Sequence, residues 1–378
     1  MSAHGERPGA AGAGPGDPAW ADGLLGDLRA AAPGASAVAF SARCGSARVV
    51  LATGDTALRG GVPADPDTRF EIGSLTKTFT ALLLAEMVAR GEVAYDDPVT
   101  RFLPRAAAPR PRGAPITLLH LATHTSGLPR LPSGLRRRGM PTWFSNPYAP
   151  YSADDLYRAL ARTRPRTAPG TRVHYSNFGV GLLADLLTRA ADGPGDGAYG
   201  RLLADRVLDP LGLTRTDCAA DRPQATGYWH RRARPAWEIP ALPGAGASRS
   251  SARDLLTTLD ALLDPAAVPP GVPRTLRTAL ADVTIPRIAL PRTGDRIALV
   301  WNIRPLPGRD LYHHSGGTRG FTTFAGFSPQ TDVALAALAN THPARSGAFI
   351  QRAYLALWTL AKDTAAASSP GAHPGPHT

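Results

Sequence analysis

The stretch Glu71-Ile72-Gly73-Ser74-Leu75-Thr76-Lys77 runs without a break into Thr78-Phe79-Thr80-Ala81-Leu82-Leu83-Leu84. A hydroxyl and an amine three residues apart share one helix face, a turn from each other. The glycine before Ser74 suits a tight entry, and the Thr, Ala and Leu that follow continue a helix to about Arg90, where Gly91 can cap it. Ser74 thus falls at a helix N-terminus, where unpaired backbone N–H groups favour developing negative charge. Lys77 is placed to lower the pKa of whatever takes the serine proton. This is the arrangement of an activated nucleophile. Only two lysines, Lys77 and Lys362, stand among 42 basic residues, so a serine three residues before either arises by chance roughly one time in ten. The pair needs partners elsewhere in the chain.

Outward from that stretch, strand character lies at both chain ends and helical character between. Residues 35–40 and 48–53 read as a hairpin around Arg43-Cys44-Gly45-Ser46, after a short helix over 24–32. Strands return at 297–303, 321–327 and 333–338, with Ser328-Pro329-Gln330 as a turn, and an amphipathic helix fits 347–360. In the middle, helix-period segments at 152–161, 179–191 and 199–207 are separated by Pro- and Gly-rich loops. Ser152-x-x-Asp155 and Ser251-x-x-Asp254 read as N-terminal caps. The expected fold class is α/β (α+β): an antiparallel sheet built from both chain ends and flanked by helices, with an inserted all-α domain. The expected boundaries are 23–95 with 296–362 for the sheet domain and 96–295 for the insertion. Residues 1–22 and 363–378 are expected to be disordered tails. No internal repeat stands out.

A chain of 378 residues with 43% hydrophobic content can bury a large core. No apolar run approaches the roughly 18–20 residues of a membrane span. The first 22 residues lack a basic start followed by an apolar block, so they do not read as a signal peptide and cytoplasmic residence is expected. Cys44 and Cys218 then read as two separate buried thiols rather than a bridge. The net charge of +12 comes almost wholly from arginine. Clusters at Arg136-Arg137-Arg138, at Arg162, Arg164 and Arg166, and at Arg231-Arg232 with Arg234 suit an acidic partner or nucleic acid. Ala, Gly, Pro and Arg are inflated together while lysine is nearly absent, and no aromatic nucleic-acid motif interleaves the clusters. The compositional reading is preferred, with no nucleic-acid and no membrane partner expected.

A serine nucleophile needs a base and an oxyanion site. The chain has no Gly-x-Ser-x-Gly elbow and no Glu-x-x-Leu-Asn, and only five glutamates in all. Tyr175-Ser176-Asn177, between Pro169-Gly170-Thr171-Arg172 and a helix beginning near Gly179, offers another base. An unperturbed phenol titrates near pH 10, about three units too high, but two neighbouring cations favour its phenolate, and Lys77 is one. Otherwise Tyr175 is a half-buried aromatic and Asn177 a helix cap. The third segment is His313-His314-Ser315-Gly316-Gly317-Thr318-Arg319-Gly320-Phe321, between two predicted strands. Its glycines let a strand approach a substrate closely, and the N–H near Gly317 can face an oxyanion. His120-x-x-x-His124 has helical ligand spacing but lacks the glutamate of a zincin, so no metal is expected. No cofactor is expected either.

Ser74-x-x-Lys77, Tyr175-x-Asn177 and His314-x-Gly316, in that order, resemble the class C β-lactamase family, which also holds DD-peptidases, esterases and acyltransferases. Residues 69–73, Leu121-Ala122-Thr123-His124-Thr125-Ser126-Gly127-Leu128-Pro129, 146–152 and Pro210-Leu211-Gly212-Leu213 are similar as well, so the resemblance spans about 35–360. It implies Ser74 as the acyl-forming nucleophile, Lys77 as its electrostatic partner and Tyr175 as general base. It implies Asn177 holding Lys77 and contacting substrate together with His314, Ser315 and Gly316. The oxyanion hole falls to the backbone N–H groups of Ser74 and Gly317. His314 stands where the family's β-lactamases carry lysine, and histidine is largely neutral at pH 7, which weakens recognition of a substrate carboxylate. The expected activity is hydrolysis or transfer of the acyl group of a small ester, thioester or amide through acyl-Ser74. Water, an amine or an alcohol is the expected acceptor. The alternatives are a D-alanyl-D-alanine carboxypeptidase or β-lactamase, and an inactive homologue that only binds a ligand.

Overall fold

The computed structural model describes residues 14–109, 113–191 and 197–367. At its centre lies one eight-stranded sheet, whose strands are β1 (Ala37–Cys44), β2 (Ala47–Gly54), β3 (Ile288–Ala289), β4 (Arg296–Ile297), β5 (Asn302–Leu306), β6 (Arg309–Gly317), β7 (Thr322–Ser328) and β8 (Val333–Ala339). Their spatial order is β2-β1-β8-β7-β6-β5-β4-β3. The N-terminal hairpin pairs antiparallel with the last strand, Phe40 opposite Ala337, so both chain ends build the sheet.

Side chains alternate across the strands, as the two-residue period requires. Val38, Phe40, Leu335 and Ala337 join a cluster on one face with Leu24, Leu28, Phe349 and Leu357. Ala37, Ala39, Ala336 and Leu338 face the main core on the other side. Because both faces are covered, the inner strands read as apolar runs rather than as clean alternation. The first face is closed by α1 (Pro18–Ala30) and, at the far end of the chain, by a final helix over Ala348–Ala367.

Numbering helices of nine residues or more in chain order, α1 is followed by α2 (Thr76–Ala89), α3 (Ala153–Arg162), α4 (Asn177–Ala191), α5 (Ala252–Leu263), α6 (Arg274–Asp282) and α7 (Ala348–Ala367). Helix α2 carries the opening stretch and is buried from Thr76 to Met87 on every side, as an all-round apolar helix must be. It packs against α6, α4 and the turn at Pro243–Ala245, and the 3₁₀ turn just before it, Gly73–Leu75, meets β6 and β7 of the sheet.

The structure corrects several sequence expectations. Residues 14–22 are not a tail, because α1 begins at Pro18, with Asp17 accepting from Ala19 N as its cap. At the other end α7 runs on to Ala367. The remaining tail residues, 1–13 and 368–378, lie outside the described residues. The single strand expected over 297–303 is two short strands separated by a bend in which Val300 takes φ +68° and donates its N–H to the carbonyl of Ala122. Within the 96–295 segment, α5 packs chiefly on β1, β2, β7 and β8 of the sheet, with a smaller contact to α6. Cys44 and Cys218 are free thiols, each only partly buried.

Candidate active site

Three segments converge at the N-terminal end of α2. The first is the turn before it. Phe70–Glu71 pairs with Arg249–Ser250 as a short ribbon, Ile72 N donates to Ser248 O, and Ser248 N donates to Thr76 Oγ1. Gly73 takes φ +50°, and a Cβ there would lie 2.6 Å from Gly317 N. Only glycine lets the nucleophile turn press this closely on β6. Ser74 follows in a single 3₁₀ turn that leads into α2.

The second is the segment before α4. Asn177 N and Phe178 N both donate to Arg130 O, Gly179 N donates to Ser176 Oγ, and Ser176 Oγ donates to Pro129 O. The helix therefore begins two residues earlier than the glycine at 179 suggested, with Ser176 as its cap. The Tyr175 ring lies 4.6 Å, centroid to centroid, from the ring of His124, a buried residue at φ +59°. His124 Nδ1 accepts from Ser176 N, which ties this ring to the same segment. The third segment is the end of β6. Gly316 is so close to Ile72 O that an added Cβ would sit 2.0 Å from it.

Ser74 Oγ accepts two hydrogen bonds, one of 2.8 Å from Lys77 Nζ and one of 2.8 Å from the Tyr175 hydroxyl. Lys77 is fully buried, and its Nζ also donates to Ala245 O at 2.7 Å. Burial, with Arg130 nearby, pulls its pKa well below the ordinary lysine value. Burial pushes the Tyr175 phenol up to about 12, against the smaller opposing pull of Ser74 and Arg130. Two cations do flank Tyr175, Lys77 Nζ at 5.0 Å and the Arg130 guanidinium at 5.4 Å from the ring centroid. They sit against the ring, and desolvation outweighs them. The resting site thus holds a phenol and an amine of lowered basicity, not the phenolate that the sequence suggested.

His314 is buried on β6, its ring centroid 6.3 Å from that of Tyr175 and its Nδ1 without a hydrogen-bond partner. Burial first, then Lys77 and His124, hold its pKa well below the ordinary histidine value, so it is neutral. His124 is neutral for the same reason, held down to about 3. Asn177 does not hold Lys77: its Nδ2 donates to Tyr148 Oη at 3.0 Å, and its buried Oδ1 has no partner. His120 closes a capping box with Thr117. Among the described residues, no three His, Cys, Asp or Glu side chains lie together as a metal site.

Ser74, Tyr175, Asn177, His314, Ser315, Gly316 and Gly317 all line one cavity of about 640 Å³. Lys77 reaches the site through its hydrogen bond to Ser74 Oγ. The structure adds residues to which the sequence gave no role: Arg130 beside Tyr175, Tyr148 against Asn177, His124 under Tyr175, and Arg319 on the wall. His124 and Tyr148 stand in stretches that carried the resemblance and were within reach. The two arginines gave no signal in so arginine-rich a chain.

The sequence is also similar to those of known proteins. A family model described as Beta-lactamase matches residues 22–357. The chain is 29% identical over 311 residues to the D-alanyl-D-alanine-carboxypeptidase/endopeptidase AmpH of Escherichia coli (strain K12), covering 79% of this chain and 78% of that one. It is 28% identical over 327 residues to a beta-lactamase of the same organism, covering 75% and 79%. It is 32% identical over 229 residues to Esterase EstB of Burkholderia gladioli, covering 56% of each. The chain therefore belongs to the Beta-lactamase family of serine hydrolases.

Proposed function

We propose that this enzyme hydrolyses or transfers the acyl group of a small ester, thioester or amide through a covalent acyl-Ser74 intermediate. The observation that carries the reading is the pair of 2.8 Å hydrogen bonds that Lys77 and Tyr175 make to Ser74 Oγ. With both groups protonated, the serine oxygen has two donors and nothing to take its own proton. Loss of one proton from the pair changes that. Lysine, with its lowered pKa, is the group that gives it up, and its free amine can then accept from Ser74. Ser74 Oγ attacks the acyl carbonyl, the N–H groups of Ser74 and Gly317 receive the oxyanion, and the proton on Lys77 passes through Tyr175 to the leaving group. Water or a bound amine or alcohol reverses the sequence. Tyr175 is then a proton relay, and the base role expected for it is shared with Lys77 as one coupled unit.

Neutral His314 is what favours an ester, thioester or amide over a β-lactam, since no fixed cation stands at that position to receive a carboxylate. A second reading, a β-lactamase or D-alanyl-D-alanine carboxypeptidase, is favoured by relatives of those names that cover more of the chain than the esterase does. A third is a catalytically inactive binding homologue. Parallel turnover of a chromogenic ester and a chromogenic cephalosporin separates them. Ester turnover that exceeds cephalosporin turnover supports the proposal, the reverse supports the second reading, and neither supports the third. Cytoplasmic residence belongs to the same proposal, supported by two free thiols; the described residues contain no helix long and apolar enough to cross a membrane.

A further inference from the structure

We infer that Arg319 is an anion-recognition residue, and that the acyl substrate carries a carboxylate remote from the scissile carbonyl. This rests on the acyl-Ser74 reading and names the substrate class for it. Arg319 lies at the turn between β6 and β7, two residues past the proposed oxyanion glycine, and lines the same cavity as Ser74. The turn is fixed: Thr318 N donates to Phe321 O, Gly320 N donates to Thr318 Oγ1, and Thr318 Oγ1 donates to Glu71.

The guanidinium carbon of Arg319 sits 5.4 Å from the ring centroids of both Trp143 and Trp229, so two indoles hold it from the sides. Trp229 in turn stacks on the exposed Phe144, which places this end of the cavity at its rim. What Arg319 lacks is a counter-ion. Among the described residues, no Asp or Glu lines the cavity and no carboxylate stands within ion-pair distance of Arg319. Its Nε is buried without a hydrogen-bond partner. Many other arginines of this chain are paired: Arg43, Arg69, Arg138 and Arg249 all reach carboxylates. A guanidinium that is oriented, partly desolvated and unpaired inside a substrate cavity is a planar fork matched to a carboxylate. Its position differs from that of His314, so the carboxylate it receives lies toward the rim, away from the serine.

The test compares para-nitrophenyl butyrate with the mono-para-nitrophenyl ester of glutaric acid, which adds a terminal carboxylate to a similar acyl chain. The readout is the ratio of kcat/KM for the acidic ester over the neutral one. Arg319→Gln is expected to lower that ratio at least about tenfold, and Arg319→Lys to restore part of it. A ratio that moves less than about twofold in Arg319→Gln overturns the inference. A second arm needs no turnover: calorimetric titration of the glutaric monoester into Ser74→Ala and into Ser74→Ala with Arg319→Gln. Binding at least about tenfold weaker in the double variant supports the inference, while equal affinity, or no binding to Ser74→Ala, overturns it. Failure of both esters to acylate Ser74 counts against the acyl-enzyme reading, and the calorimetric arm still decides the role of Arg319.

Discussion

Glu71 Oε2 accepts a 2.7 Å hydrogen bond from Thr318 Oγ1 across a sequence separation of 247 residues. The same carboxyl accepts from Trp237 N at 2.6 Å and from Gln224 Nε2 at 3.2 Å, and Arg249 Nη2 lies 3.8 Å away. One buried side chain thus ties the turn before Ser74 to the strand end that carries Gly317. Burial raises its pKa despite Arg249. Glu71→Ala takes the carboxylate from the buried Arg249 guanidinium and the acceptor from the Trp237 N–H and the Thr318 hydroxyl, and should destabilise the protein by about 3–5 kcal/mol. Denaturant melts of variant and wild type check this. A midpoint unchanged from wild type argues against the tie.

The second prediction concerns pH. A lysine whose pKa is lowered when folded becomes a free amine at lower pH than usual, so kcat/KM should rise with pH through an acid limb set by Lys77, well below the ordinary lysine value of 10.5. Burial holds His314 and His124 well below the ordinary histidine value, so neither contributes a limb near 6.5. Lys77→Met should cost roughly 10²–10⁴ in kcat and abolish the limb while the fold persists. Steady-state kinetics from acid to alkaline pH read both effects. A limb that survives in Lys77→Met points to another group.

Tyr175 is predicted to act through its hydroxyl alone. Tyr175→Phe keeps the ring against His124 and removes the donor to Ser74 Oγ. It should slow acylation by about 10²–10⁴ with little change in stability. Pre-steady-state release of para-nitrophenol measures acylation directly. A near-normal burst assigns the relay to another group.

Gly316→Ala tests the close approach of β6 to the nucleophile turn. The added methyl meets Ile72 O at 2.0 Å, backbone against backbone, so one of the two segments must move. A cost of about 1–3 kcal/mol in stability is expected, together with a lowered kcat, because Ser74 lies just beyond Ile72. Thermal melts and ester turnover of the variant check both. Wild-type values in both indicate that the segments slide past each other freely.

The sheet built from both chain ends was legible because the terminal runs are β-prone and the turn residues are explicit, as at Ser328-Pro329-Gln330. Ser74, Lys77, Tyr175, Asn177 and His314 stood out through spacing and order, and the structure gathers them around one cavity. Other features left no trace. The first turns of α1, residues 18–23, hid in a run of Ala, Gly and Pro that reads as a tail, while its second half falls within the helix expected over 24–32. The bend at Val300 answers to a distant carbonyl, that of Ala122, and no local pattern records it. The protonation of Tyr175 is not legible in the sequence because burial, the largest influence on it, is a property of the fold rather than of the neighbours in sequence. Arg319 was one guanidinium among many until two indoles and a missing counter-ion set it apart.

The most direct test of the whole account is intact-mass spectrometry after exposure to a fluorophosphonate or a para-nitrophenyl ester. The account predicts one covalent adduct on the wild-type chain, mapped by peptide analysis to Ser74 and absent from Ser74→Ala. An unmodified wild-type chain, or an adduct that persists in Ser74→Ala, contradicts it.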